Sequence, residues 1–313
     1  MHQYIIKRAA YLMLTLLVAS FFVFIVVNAI PGEPAEVLAR HLYIGLEEAA
    51  PPELIADIAD RYDLNRPILV QYKDWMAGLL SGDLGFSIIY NKPVSELLKL
   101  YLPPTILLTA VSMTFAMFLG IFFGIYSALR RNKISDHMIR IITIFSVSMP
   151  SFWVAVMLIL IFSVWLGLLP VADYGTPKHI VLPAAALGLH TMASIARIMR
   201  TSMLETMDKP FIVFARSKGL STRRIILSHA FKNAFLPVLT VIGVSFGSLL
   251  AGSVVVETIF SWPGIGSMLM KAISAKDLVL IESTIMIIVL MFLIVNFVID
   301  ILYHIIDPRI TYE

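Results

Sequence analysis

Apolar runs along the chain divide it into stretches long enough to cross a bilayer, whose hydrocarbon core of about 30 Å needs roughly 20 apolar residues per helix. Residues 9–30 are almost wholly apolar and follow Lys7 and Arg8. Residues 106–129 form a second run closed by Arg130 and Arg131, and residues 139–169 hold a third span with a connector. Residues 180–199 are the fourth and weakest run, since they carry His190; residues 238–256 are the fifth, and 278–306 contain the sixth. The pattern predicts an all-α polytopic membrane protein of about six transmembrane helices. The first run shares its basic start with secretory signal peptides. Its apolar stretch exceeds their usual h-region of about 7–15 residues and no small-x-small site closes it, so a retained anchor is expected.

Between the first two runs the periodicity changes. Pro51-Pro52 opens a stretch in which Leu54, Ile55, Ile58 and Tyr62 recur at helical spacing. Residues 70–80 read as another short amphipathic helix before Ser81-Gly82-Asp83 turns the chain. Residues 31–101 are therefore an external helical insertion between spans one and two, either a cap packed on the outer face or a docking surface for an external partner.

Composition agrees with membrane residence: 59% of residues are hydrophobic, 14% are charged, and mean hydropathy is +0.87, against roughly 45–50% and 25% in soluble domains. A soluble fold with this excess would expose large apolar patches. Cysteine is absent, which excludes disulfides and thiolate metal sites. The placement of positive charge says more than the net +3. With a cytoplasmic N-terminus, the inner segments carry Lys7, Arg8, Arg130, Arg131, Lys133, Arg140, Arg197, Arg200, Lys209, Arg216, Lys218, Arg223, Arg224, Lys232 and Arg309. The short outer loops hold only Lys178, Lys271 and Lys276. The positive-inside rule then puts both termini in the cytoplasm of a multi-pass cell-membrane protein.

The stretch 200–237 is the least membrane-like after span two. It reads as a short helix over 211–218, a left-handed stop at Gly219, and a second helix capped by Ser221 that runs through Arg224 and His229 until Pro237 opens span five. The bland account of its cations is attraction to anionic headgroups, which suffices for Arg197, Arg200 and Arg223. It does not account for the helix stop between basic and proline positions. The run Phe214-Ala215-Arg216-Ser217-Lys218-Gly219-Leu220, followed by residues 229–237 with Asn233 and Pro237, resembles the coupling motif of membrane subunits of binding-protein-dependent ABC importers. The version here is similar to the dipeptide/oligopeptide/nickel permease family. Ser148-Met149-Pro150-Ser151-Phe152-Trp153, Phe260-Ser261-Trp262-Pro263-Gly264-Ile265-Gly266, Pro31-Gly32-Glu33-Pro34 and Asp307-Pro308-Arg309 agree with it. The glutamate that names the motif is replaced by Val213, and the distance from Gly219 to Pro237 is longer than in the general importer pattern, as in the peptide/nickel branch.

The resemblance implies a type I ABC importer transmembrane domain. Residues 1–30 would be the N-terminus and first span, 31–101 the external segment, 102–306 a five-span core with the coupling loop, and 307–313 a cytoplasmic tail. It also implies a non-catalytic, channel-forming subunit. Partners would be a second homologous permease, two cytoplasmic ATPase subunits, an external substrate-binding protein and membrane lipid, without nucleic acid. Phe214, Ala215, Arg216, Lys218, Gly219, Asn233 and Pro237 would couple to the ATPases, which would hold ATP and Mg; this chain has no G-x-x-x-x-G-K-[ST] loop of its own and is expected to bind no cofactor or metal. The cargo implied is nickel, as a chelate, or short peptides; the short connector 171–179, with Asp173-Tyr174-Gly175 and His179, resembles the nickel type somewhat more.

Trp262, Pro263 and Gly264 read either as an interfacial aromatic anchor with a turn or as an external gate. His190 and Asn296 are pathway candidates, because polar groups inside spans are often functional; a lone histidine equally suits hydrogen-bonded packing. Glu257 and Asp300 fall near span ends, where snorkelling accounts for them. Gly243, Gly247, Ala251 and Gly252 suit close helix packing, and the methionines suit core filling. A self-sufficient secondary transporter would instead have internal repeats and broken helices, and a membrane enzyme would cluster His, Asp or Glu; neither pattern is evident in the sequence.

Overall fold

The computed structural model describes residues 2–29, 35–36, 39, 51–61 and 65–306. The segments Pro31-Gly32-Glu33-Pro34 and Asp307-Pro308-Arg309, the residue Tyr62 and the tail 307–313 lie outside the described residues. The described elements are α1 (His2–Asn28), α2 (Pro52–Arg61), α3 (Ile68–Ser81), a small antiparallel hairpin of β1 (Phe86–Ser87) and β2 (Lys92–Pro93), and α4 (Val94–Leu129). There follow α5 (Ile134–Ser148), α6 (Ser151–Leu158, extended by a π-helical stretch Ile159–Trp165), α7 (Val181–Met207), α8 (Pro210–Ser217), α9 (Thr222–Ile259), α10 (Ile265–Ser274) and α11 (Leu278–Ile306). Among the described residues, five helices are long and apolar enough to cross a membrane, or six if α5 and α6 count as one span.

The third run departs from the expected single span. Helix α5 ends at Ser148, Pro150 precedes α6, and the two are bent by 112°. Proline biases the residue before it away from helical geometry, and Met149 is extended at φ −88°, ψ 132°. The fifth run departs in the opposite sense. Pro237 does not open span five; it stands inside α9, which runs unbroken from Thr222 to Ile259 through a π-helical stretch at Ile225–Ala230. Membrane helices tolerate interior proline because neighbouring groups and local π adjustments absorb the lost hydrogen bond.

The chain forms two compact units. One comprises Thr105–Trp262 with Ile294–Glu313. Its core is α7, whose Met192, Ala193, Ile195, Met199 and Met203 are buried among residues from α4, α5, α6 and α9. Close approach is set by Gly120 and Gly124 of α4. A Cβ on Gly120 would lie 2.8 Å from Ile195, and one on Gly124 would lie 2.6 Å from Met199 and 2.8 Å from the Ala196 carbonyl. Gly188 of α7 meets the Ser112 carbonyl in the same way. Small residues spaced four apart let membrane helices pack backbone to backbone.

The other unit comprises Met1–Pro104 with Pro263–Leu293. Helix α3 lies against α1, with Tyr72 and Trp75 on Phe24 and the Ser20 hydroxyl 2.9 Å from that of Tyr72. The hairpin is tied to the turn before α11 by Asp277, which is buried and accepts from the Ser87 hydroxyl at 2.7 Å and the Ile88 amide at 2.9 Å. Glu282 of α11 accepts from Asn28 of α1 at 3.0 Å.

Candidate functional site

Helix α8 is the short helix expected at 211–218. Pro210 takes its first position, where a missing N–H costs nothing. Gly219 stops it at φ +76°. The Gly219 amide donates to the Arg216 carbonyl at 2.9 Å and the Leu220 amide to that of Ala215 at 3.3 Å, so the last turn is closed. Ile212 and Ala215 are buried and fix the helix to the core. Phe211, Val213 and Phe214 are exposed, Phe214 at 62%. Arg216, Lys218 and Gly219 are exposed beside them, and the Lys218 ammonium lies 4.6 Å from the centre of the Phe214 ring. The arrangement is a rigidly mounted, one-faced apolar patch rimmed by cations.

Ser221 has the extended geometry of a cap, φ −60° and ψ 146°, but its hydroxyl makes no capping bond. Asn233 and Pro237 are not part of this patch. They sit on α9, where Asn233 Nδ2 donates to the His229 carbonyl at 2.8 Å. Asn233 is also the residue whose carbonyl a non-proline residue at 237 would bond.

Trp262 is buried, with its ring edge-on to Tyr174 at 4.7 Å, and its amide donates to the Glu257 carbonyl at 2.8 Å. An exposed interfacial anchor is therefore not what this side chain provides. Gly264 is the extended residue that begins α10, and Pro263 is half-buried. His190 is exposed on α7 and lines a cavity of about 350 Å³ at the α5–α6 bend, with Ser148, Met149, Thr191 and Ser248. Asn296 is half-buried on α11 and does not line that cavity.

Two charged residues stand elsewhere than the sequence pattern predicts. Glu257 does not snorkel: it is fully buried and accepts from the Thr105 hydroxyl at 2.7 Å. Arg200 is not a headgroup cation. Its Nε and Nη2 each donate to Asp136 at 2.8 Å, a bidentate pair in which the carboxylate is fully buried. Ser127 of α4 donates to the same carboxylate, and the Asn132 amide does so at 3.0 Å. The cluster thus pins α4, α5 and α7 together at one end. Asp136 is the lone acid in a run that carries Arg130, Arg131, Lys133 and Arg140, and that isolation is the signal in the sequence that it has a specific partner. The Gly120-x-x-x-Gly124 spacing is likewise visible in the sequence.

Two family models span nearly the whole chain: the binding-protein-dependent transport system inner membrane component over residues 120–312, and its N-terminal membrane component over residues 1–109. The chain belongs to this family. It is a multi-pass, non-catalytic permease subunit of the ABC importer type, which works with separate ATPase subunits and a substrate-binding protein. The permease is 38% identical over 340 residues to the dipeptide transport system permease protein DppB of Alkalihalophilus pseudofirmus, with all of both chains covered. It is 35% identical over 313 residues to the glutathione transport system permease protein GsiC of Escherichia coli, again with full coverage of both. In fold it matches a chain of the MetNI methionine ABC transporter, captured in inward-facing conformations, with a TM-score of 0.56 at 16% identity over 67% of the permease and 96% of that chain. That likeness supports the type I importer fold of the transmembrane core.

Proposed function

We propose that this permease is one half of the channel of an ATP-driven importer of short peptides, and that α8 is the element through which its ATPase partners move it. The observation that carries the coupling role is the division of α8 into a buried anchor, Ile212 and Ala215, and an exposed patch, Phe211, Val213 and Phe214. An amphipathic helix that projects an apolar face suits insertion in a groove of a partner protein, and Arg216 and Lys218 supply a cationic rim. Closure of two ATPase subunits on ATP would displace α8 and, through the packed spans, alternate access to the site between the two sides. A second homologous permease would complete the channel, with both termini cytoplasmic and residues 31–101 outside. The external segment would meet the binding protein; within the stretch Trp262-Pro263-Gly264 the half-buried Pro263 is the residue open to such a contact, since Trp262 and Gly264 are buried.

Peptide cargo is favoured over nickel by the relatives described above, which are named for dipeptides and glutathione. The short connector 171–179 does not outweigh them. Its Thr176 hydroxyl and His179 Nδ1 lie 2.7 Å apart, so that ring has a local partner. Uptake in cells that lack only this chain tests the reading: restoring the gene should restore accumulation of a labelled dipeptide and leave nickel uptake unchanged. Recovery of nickel uptake without the dipeptide would reverse the assignment.

A further inference from the structure

Helix α7 is the most enclosed of the spans, and what it leaves open is chemically selective. After Val181 at its start, the exposed residues are His190, Arg197, Thr201 and Glu205, with Ser194 half-buried between the first two. Their spacing of four, three, four and four places them along one helical face. Each of these residues is polar, while the other faces of α7 are occupied by the core of its unit. At 1.5 Å per residue, His190 lies about 14 Å and Arg197 about 24 Å along the axis from Val181, in a helix long and apolar enough to cross a membrane. Arg197 has no ion-pair partner among the described residues.

A stripe of this kind cannot face lipid cheaply, because an ionisable side chain at membrane depth belongs in a protein interior or a water-filled passage. It is also unlike a sealed helix–helix contact, for which small residues are preferred; α7 has already spent its small residue Gly188 on α4. At its outer end the stripe opens on the cavity of about 350 Å³ at the α5–α6 bend, where His190 is joined by Ser148, Thr191 and Ser248. The cavity wall is mostly apolar, with Val147, Met149, Leu187 and Leu249 beside these polar groups, so the hydratable positions are the side chains of His190 and of the stripe that continues from it.

We propose that the face His190–Ser194–Arg197–Thr201 of α7 is the wet, cargo-contacting wall of this half-channel, with Arg197 the counter-charge to the carboxylate of a passing peptide. The carboxylate assignment rests on the peptide reading given above; the wet wall does not. Arginine can hold a carboxylate through two parallel hydrogen bonds, and a charge-assisted bond in a narrow passage is stronger than its neutral equivalent.

The natural absence of cysteine makes the wall directly testable. Ser194→Cys and Thr201→Cys would be introduced singly into the complete transporter in vesicles and treated with a membrane-impermeant thiol reagent. Ser112→Cys, at a fully buried position, and Phe118→Cys, at an exposed apolar one, serve as references. The stripe positions should react at least about tenfold faster than both references, by the contrast between hydrated and dry or lipid-facing thiols. Reaction no faster than at Ser112→Cys would overturn the wall; that is also the outcome if the second permease seals this face. In the same vesicles, Arg197→Gln should slow dipeptide uptake about tenfold, and Arg197→Lys should retain most of it. Uptake by Arg197→Gln equal to that of the unaltered protein would overturn the counter-charge role. Failure of the unaltered transporter to take up any dipeptide would instead defeat the peptide reading and leave the labelling result standing.

Discussion

Arg200 and Arg216 both contribute to the cytoplasmic-side positive charge read from the sequence, yet the two do opposite things. Arg200 is locked on α7 in a bidentate pair with buried Asp136, with Ser127 and the Asn132 amide on the same carboxylate. Arg216 lies exposed on α8, on the rim of a patch made by Phe211, Val213 and Phe214. One region is a mount whose polar groups are satisfied internally; the other is a projecting surface whose apolar groups are not. The difference teaches that charge count alone does not identify a docking element in such a protein. What identifies it is a short, internally capped helix that leaves large apolar side chains uncovered next to a rigid support.

The comparison breaks most severely at the mount. Removing the cation with Arg200→Ala strands a buried carboxylate, and breaking such a pair costs roughly 3 kcal/mol or more. The expected outcome is a clear fall in the thermal midpoint of the purified transporter and reduced yield. Pairing the change with Asp136→Ala should recover part of the loss, since no lone charge then remains buried. A midpoint unchanged by Arg200→Ala would mean that the pair does not hold α4, α5 and α7 together.

Gly124→Leu attacks the same support by crowding. The added side chain would begin 2.6 Å from Met199 and 2.8 Å from the Ala196 carbonyl, so α4 and α7 must separate. Overpacking of this kind costs about 1–3 kcal/mol. Differential scanning of the variant beside one at Gly82, a position with open space around it, separates crowding from backbone strain. Equal shifts at the two positions would remove the close approach as an explanation of how these spans pack.

Much of this contrast is legible in the sequence alone, and the division is physical. The spans and α8 follow from runs and breaks within a few residues: apolar stretches, Pro210 at a helix start and Gly219 at its stop. The anchors were not legible because their partners are distant in sequence, 64 residues for Asp136 with Arg200 and 152 for Thr105 with Glu257. Proline has opposite consequences at 237 and at 150. The first is absorbed into α9 beyond a π-helical stretch, whereas the second coincides with an abrupt bend. His190 was visible as a polar residue in a span, but its exposure depends on which faces of α7 the neighbouring helices occupy, and no local pattern specifies that.

The smallest expected effect on stability falls on the projecting region, and it is the most informative about function. Gly219 ends α8 at φ +76°, with nothing within 4 Å of where a Cβ would stand. Gly219→Leu therefore meets no clash and costs only the left-handed backbone, about 1 kcal/mol, which the helix can relieve by unwinding its last turn. That would displace Arg216, Lys218 and the Phe214 ring under the Lys218 ammonium, while Ile212 and Ala215 stay in the core. Membrane insertion and assembly should be normal, partner ATPase activity should persist, and uptake per ATP hydrolysed should drop several-fold. Gly219→Asn should behave like the unaltered protein, because asparagine adopts the left-handed region far more readily than leucine. If the leucine variant imports as well as the asparagine one, the set of the last turn of α8 does not matter, and coupling through this helix would have to be abandoned even though the mount beneath it is intact.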